Sequence, residues 1–265
     1  MSGPSITLFE NMRAIGYVPF YLAIQRGDWA REGVDVRVET ASDMTQTAAA
    51  LLDGRTDVSW GGPMRVMMHH DRDRECPLVC FAQVVARDPF ILVGRKPNPR
   101  FRFRDLAHKR IAVAIEAPTP WMTFQDDLAR AGVDSATLDR APDREMAENA
   151  KLLESGDLDV VQLFEPYADD LVEKGAGYIW HRFAARGEIA YTSFYTTRRF
   201  AADQRDTCRA LVRGIACAQQ ALHRETPLAI AEAIADFFPD RATAQLARII
   251  DGYRKSGLWA RTPEL

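Results

Sequence analysis

The feature that most constrains this chain is a repeated alternation of short apolar strands with helical segments along most of its length. Ile6 to Glu10 is β-prone, and a helix follows with Pro19 near its first turn and Phe20, Ala23 and Ile24 on one face. Gly27 and Gly33 bracket the end of that helix. Val34, Val36 and Val38 alternate with Asp35, Arg37 and Glu39, the pattern of a half-buried strand. A helix is expected over Met44 to Asp53 and closed by Gly54, then a strand over Thr56 to Trp60 and a helix from about Met64. Leu78 to Val85 and Phe90 to Val93 read as strands.

The theme then repeats. Ile111 to Ile115 is a continuous apolar run, as in a strand covered on both faces, and Val160 to Phe164 reads as a buried strand. Helices are expected from Pro120 to about Gly132, over Glu145 to Ser155 and over Pro166 to Lys174. Tyr178 to Phe183 and Ile189 to Thr196 return to strand, and from Asp203 the pattern is helical. There Leu211, Ile215, Ala218 and Leu222 form a stripe. The expected class is α/β, with parallel-rich sheets and helices on both faces. Each half has its own strand–helix–strand set. Pro89 and the stretch 187–195 look like crossings, which predicts a discontinuous first lobe (1–88 plus 190–265) and an inserted second lobe (89–189).

Composition excludes several functions. A net charge of −3 offers no footprint for nucleic acid. No apolar run approaches the roughly 18 residues of a membrane span. The first residues lack the basic start and apolar stretch of a signal peptide, so the expected location is cytoplasmic, or periplasmic if a leader was removed. Cys76, Cys80, Cys208 and Cys217 form no Cys-x-x-Cys pair and are expected to be free, mostly buried thiols, which leans towards a reducing compartment. His69-His70 invites a metal reading, but adjacent helical residues point about 100° apart, so a solvated helix end is expected instead and no metal or cofactor. Gly-x-Ser-x-Gly, Walker and His-Glu-x-x-His motifs do not occur.

Several phrases together resemble one family. They are Gly16-Tyr17-Val18-Pro19-Phe20-Tyr21-Leu22-Ala23, with Gly27-Asp28-Trp29 and Glu32-Gly33-Val34-Asp35-Val36; the stretch Ala50 to Val58; Asp105 to Val113; and Leu153 to Val160 followed by Glu165-Pro166. In this order and spacing they resemble the NMT1/THI5-like substrate-binding proteins, which include receptors for thiamine precursors and sulfonates. The resemblance implies a type II periplasmic-binding fold, two α/β lobes with ligand held in the cleft between them. It also implies the membrane subunits of an ABC importer as partner and a monomeric receptor. The family continues with further helix beyond the position of Leu265, which implies a shortened C-terminus.

In open α/β sheets ligands sit at the carboxyl ends of strands, near helix N-termini whose free N–H groups suit anions. Four loops fit. In the first, Asn11 can hydrogen-bond a ligand and Tyr17 and Phe20 can stack on a ring; the plain alternative is a solvated loop with core aromatics. In the second, Ser59-Trp60-Gly61-Gly62-Pro63, two glycines allow close backbone approach and Trp60 offers a flat wall; the alternative is a bare turn. Arg65 can reach an anion there, although an arginine so placed is more often solvated. In the third, Thr119 is a candidate helix N-cap or ligand contact, with Trp121 beside it or in the core. In the fourth, Glu165 can accept from an amine or amidine, or cap its own helix.

Two enzyme types share the fold that the resemblance implies. A pyrimidine synthase needs a cofactor lysine and a cysteine-rich segment; none of Lys96, Lys109, Lys151, Lys174 and Lys255 falls near 57–65, and the cysteine motif is absent. An aromatic sulfinate desulfinase needs a cysteine in the first loop and an arginine before the Gly-Gly turn; loop 11–19 has no cysteine, and Ser59 and Trp60 precede the glycines. The reading is therefore a receptor without catalysis for a small planar molecule: a pyrimidine, an aromatic carboxylate or a sulfonate. A cytosolic enzyme on the same fold is the alternative, and a ligand-sensing module a third.

Overall fold

A computed structural model describes residues 3–41 and 46–265. Its strands are β1 (Ser5–Glu10), β2 (Asp35–Thr40), β3 (Val58–Gly61), β4 (Leu78–Val85), β5 (Ile91–Gly94), β6 (Arg110–Ala112), β7 (Asp139–Arg140), β8 (Val160–Leu163), β9 (Tyr178–Arg182) and β10 (Thr192–Thr197). Its helices are α1 (Val18–Gln25), α2 (Asp28–Arg31), α3 (Gln46–Leu52), α4 (Pro63–Arg72), α5 (Pro118–Arg130), α6 (Met146–Ser155), α7 (Tyr167–Glu173), α8 (Arg198–Asp203), α9 (Arg205–Arg224), α10 (Pro227–Ala233) and α11 (Thr243–Lys255). Of the helix expected over Met44 to Asp53, Met44 and Thr45 lie outside the described residues.

The chain divides into two compact units, one made of residues 1–87 and 188–265 and the other of residues 88–187. The first holds a five-stranded sheet in the order β2-β1-β3-β10-β4. Parallel ladders join β1 to β2 and to β3, while β10 runs antiparallel to both β3 and β4. The second holds a sheet in the order β7-β6-β8-β5-β9 with the same plan: β6 is parallel to β7 and β8, and β5 is antiparallel to β8 and β9. In each sheet the reversed strand is the first strand after the chain enters or re-enters that unit. The sheets are thus mixed rather than purely parallel.

Local chemistry explains the elements. In β2 the valines are half-buried and Asp35, Arg37 and Glu39 exposed, as an edge strand requires. In the central strands β3, β5 and β8 every residue is buried. The stripe of Leu211, Ile215, Ala218 and Leu222 on α9 is wholly buried. Gly214, on the same helix, lies under Trp29: a Cβ there would stand 2.1 Å from the indole, whose Nε1–H donates to the Leu211 carbonyl at 3.0 Å. Pro118, not Pro120, opens α5, because proline fits the first turn of a helix, where its missing N–H has no partner to lose. The four thiols are free, but Cys217 is exposed and Cys80 only half-buried.

Candidate functional site

In the first unit the carboxyl ends of β1 and β3 lie side by side, because the strands are parallel neighbours. Glu10, the last residue of β1, is fully buried and anchors the loop of residues 11–17. Its carboxylate accepts from Tyr21 Oη at 2.8 Å, Thr40 Oγ1 at 2.6 Å and Arg13 Nε at 2.8 Å. The Tyr21 hydroxyl in turn accepts from the Ala14 N–H at 3.3 Å. The loop is held a second time by Trp259, whose indole N–H donates to the Gly16 carbonyl at 2.8 Å. This framework places Asn11 and Tyr17. Asn11 is buried, and its Oδ1 accepts from the Met12 N–H at 3.1 Å. Burial pushes the Tyr17 hydroxyl up, while the Asn11 side chain and the Arg65 charge, both close to it, act the other way.

Successive strand residues face opposite sides of a sheet, and β3 divides its labour accordingly. Ser59 faces a polar chain: its Oγ donates to the Phe9 carbonyl at 2.6 Å and lies 3.2 Å from Tyr195 Oη. Tyr195 Oη donates to Thr47 Oγ1 at 2.7 Å, and Arg65 Nη1 donates to the same oxygen at 3.2 Å. Trp60 faces the other way. It is fully buried, stacked on Phe20 with ring centroids 3.9 Å apart and edge-on to Tyr17 and Tyr21. Phe20 and Trp60 therefore offer no surface on which a ligand can stack. The expectation that they form a ligand wall is corrected: the apolar face of the sheet has absorbed both into the core behind the loop. Tyr17, half-buried, is the aromatic residue of this loop with a partly open face.

Arg65 is the residue whose placement the sequence misjudged most. It sits in the first turn of α4, after Gly61 ends β3 and Gly62 forms the N-cap, and no side chain caps that helix. Rather than being solvated, it is only 9% exposed, and among the described residues it is the only buried lysine or arginine. Its guanidinium bonds a neutral hydroxyl, that of Thr47, and no carboxylate pairs with it among the described residues. Burying an unpaired charge is costly, so an anion at this spot is strongly favoured, and the open helix N-terminus adds to the effect. Ser193, opposite Gly61 on β10, is buried with its hydroxyl unbonded. Sequence reasoning missed Thr47, Ser193 and Tyr195. The polar alternation of Ser193 and Tyr195 along an otherwise buried strand was the available signal.

In the second unit Thr119 and Glu165 follow the neighbouring parallel strands β6 and β8. Thr119 is buried but is not an N-cap: Ala117 holds that position, and Thr119 lies inside the first turn of α5. Trp121 packs edge-on to Phe124 with the Arg140 guanidinium 5.0 Å over its ring. Both acids near these loops serve helices. Glu116 Oε1 accepts from the Met146 N–H at 2.6 Å, at the start of α6. Glu165 Oε2 accepts from the Asp169 N–H at 2.8 Å in α7, and its Oε1 lies 3.7 Å from Arg182 Nη1. Burial pushes the Glu165 carboxyl up to about 7, with these contacts pulling partly against it.

Comparisons with known proteins agree on the fold. The profile of the family described as "NMT1/THI5 like" matches residues 15–226. The putative binding protein YtlA of Bacillus subtilis is 28% identical over 262 residues, spanning 98% of this chain and 78% of that protein. The periplasmic aliphatic sulphonate binding protein SsuA of Escherichia coli superposes with a TM-score of 0.77 at 14% identity, over 94% of this chain and 84% of that one. A DszB variant in complex with biphenyl-2-sulfinic acid superposes at 0.68 with 13% identity, over 99% and 87%. At such identities the structural matches speak for the fold alone, whereas the profile spans most of the sequence. The chain belongs to the NMT1/THI5-like family and has the periplasmic-binding α/β fold.

Proposed function

We propose that this protein is the solute-binding component of an ABC importer, and that its ligand is a small planar molecule carrying a carboxylate or sulfonate. The observation that carries the ligand class is Arg65, a buried guanidinium without a carboxylate partner among the described residues, in the uncapped first turn of α4. The anionic group would accept from Arg65 and from the α4 N-terminus, with Asn11, Ser59, Ser193 and Tyr195 in support and Gly61 and Gly62 allowing close approach. The half-open ring of Tyr17 would lie against the planar part. A neutral pyrimidine satisfies Arg65 less well than an anion. The sulphonate and sulfinate named for SsuA and the DszB complex fit the same chemistry. Like SsuA, which is described as periplasmic, the protein would work in the periplasm; we take it to act as a monomer that delivers its ligand to permease subunits.

The chemistry of the thiols favours binding over catalysis. None lies in the loop of residues 11–17, and burial pushes Cys80, paired across the sheet with Tyr195, up to about 11. A nucleophilic cysteine requires a shift in the opposite direction. The test is native mass spectrometry of the purified protein after exposure to a mixture of arylsulfonates, aromatic carboxylates and pyrimidines. A single anionic compound should be retained unchanged at one per chain. Retention of neutral pyrimidines alone would remove the anion reading. A compound consumed with a new product would replace the receptor with an enzyme.

A further inference from the structure

The second unit carries a concentration of positive charge that the ligand reading does not use and the fold uses only in part. Residues 95–110 contain seven lysines and arginines against one acid, Asp105, in a chain whose net charge is −3. Arg95 and Arg110 approach Asp159 and Asp139 at 3.9 and 4.0 Å. Lys96, Arg100, Arg104 and Lys109 have no ion pair among the described residues, and all but the half-buried Lys109 are exposed. Such a grouping repels itself and is not a neutral outcome of surface composition.

Two of these charges, Arg102 and Arg104, line a shaped hollow. Phe101, Phe103 and His181 floor a cavity of about 340 Å³, and Arg102 and Arg104 also line it. The floor is rigid. Phe103 and Phe101 lie 5.1 and 6.1 Å from the His181 ring, and Phe101 lies 5.4 Å from Trp180. Trp180 is fixed in turn: its indole N–H donates to the Lys96 carbonyl at 2.7 Å, and it packs so closely over Gly94 that a Cβ there would stand 2.0 Å from the ring. Phe101 and Phe103 are half-buried while Arg102 and Arg104 are exposed, so the charged side chains are the more open part of the lining. A bilayer surface calls for apolar side chains that protrude, and single-stranded nucleic acid calls for ring faces presented to bases. Half-buried rings lining a hollow together with exposed arginines instead suit one apolar side chain flanked by carboxylates, which arginine binds in a bidentate manner.

We propose that this cationic, aromatic-floored patch is a docking site for an acidic segment of a partner protein, which sets carboxylates on Arg102 and Arg104 and an apolar side chain into the hollow between them. The site belongs wholly to the second unit and does not depend on the ligand proposed above.

The test titrates the full-length ¹⁵N-labelled protein with a synthetic peptide alternating glutamate and leucine, with its lysine counterpart, with phosphatidylglycerol vesicles and with a thymidine oligonucleotide. Amide shifts on adding the glutamate peptide should concentrate at residues 95–110 and 178–181. Arg102→Glu with Arg104→Glu should weaken binding roughly tenfold or more, since charge-assisted bidentate pairs are lost. A second pair, Lys96→Glu with Arg100→Glu, involves exposed side chains without bonds of their own and guards against misfolding of the first. Arg205→Glu with Arg209→Glu on α9 should leave the affinity unchanged. The proposal is overturned if the peptide moves no residue of the patch, if both patch reversals leave its affinity within about twofold, or if vesicles or the oligonucleotide occupy the patch while the peptide does not.

Discussion

The two units share one sheet plan and both close most of their buried charge, as Glu10 of the first does with Arg13, Tyr21 and Thr40; Arg65 is where they differ. In the second unit the charges are closed upon themselves. Arg186 bonds Asp127 and the Thr123 carbonyl, Glu165 caps α7 with Arg182 nearby, and Asp88 accepts from the Phe90 N–H and Thr123 Oγ1 at 2.9 and 3.0 Å. In the first unit Arg65 is left with a hydroxyl and an uncapped helix. The same topology thus carries a paired set of charges in one copy and one unpaired guanidinium in the other, and the difference rests on a few side chains after the third strand of the sheet.

The largest effect should come from Trp60→Ala. Because Trp60 is core, the variant should lose about 3–5 kcal/mol of stability in urea denaturation; a loss of ligand affinity with unchanged stability would put it back in the site. The charge contrast is tested directly by a matched pair. Arg186→Met strands Asp127 and should cost about 3 kcal/mol, while Arg65→Met removes an unpaired buried charge and should leave the melting temperature unchanged or higher. Arg65→Met should nevertheless weaken binding of a carboxylate or sulfonate by about tenfold to a hundredfold, the worth of a charge-assisted bond, in calorimetric titration. Equal destabilisation by the two variants would break the comparison.

The pH dependence probes two buried carboxyls of the second unit. A carboxyl whose value is higher in the folded state holds its proton more tightly there, so it favours folding at low pH and loses that contribution as pH rises. For Glu165 the window runs from its ordinary 4.5 up to about 7, and for Asp88 from 3.8 up to about 6, both raised chiefly by burial. Thermal melts across this range should show stability falling with pH, by at most about 3 kcal/mol for Glu165, and Glu165→Gln should flatten the slope. An unaltered slope in that variant would assign the dependence elsewhere. The smallest effect is expected for Tyr195→Phe. Loss of one hydroxyl from the chain that supports Arg65 should cost about 1 kcal/mol in stability or affinity; no change in either would show that Thr47 alone positions the guanidinium.

The strands and helices were legible because their patterns are local: alternating valines on an edge strand, apolar runs at the centre, a stripe on a long helix. The loops of the first unit were legible from glycines and from their place after strands. What the sequence concealed was which way a residue faces and what lies above it. Ser59 and Trp60 are neighbours in sequence yet belong to opposite sides of a sheet, and only the register with β10 shows that Tyr195 and Ser193 join the former. Arg65 looked solvated because its burial depends on Thr47 and Tyr195, residues 18 positions before it and far beyond it. Thr119 resembles a cap because two prolines flank it, and the helix starts at the first of them rather than the second.

The bond from Trp259 to the Gly16 carbonyl joins groups 243 residues apart. Contacts of such separation form late, since the whole intervening chain must be in place before they close. Residues 88–187 form one uninterrupted stretch and contain every strand of their own sheet, so they can be complete as soon as that stretch has left the ribosome. The first unit must wait for β10 and then for the indole that pins its loop. The loop of residues 11–17 lies near the start of the chain, yet one of its two anchors arrives only with residue 259; a chain interrupted before that point would keep the Glu10 anchor and lack the bond from the indole.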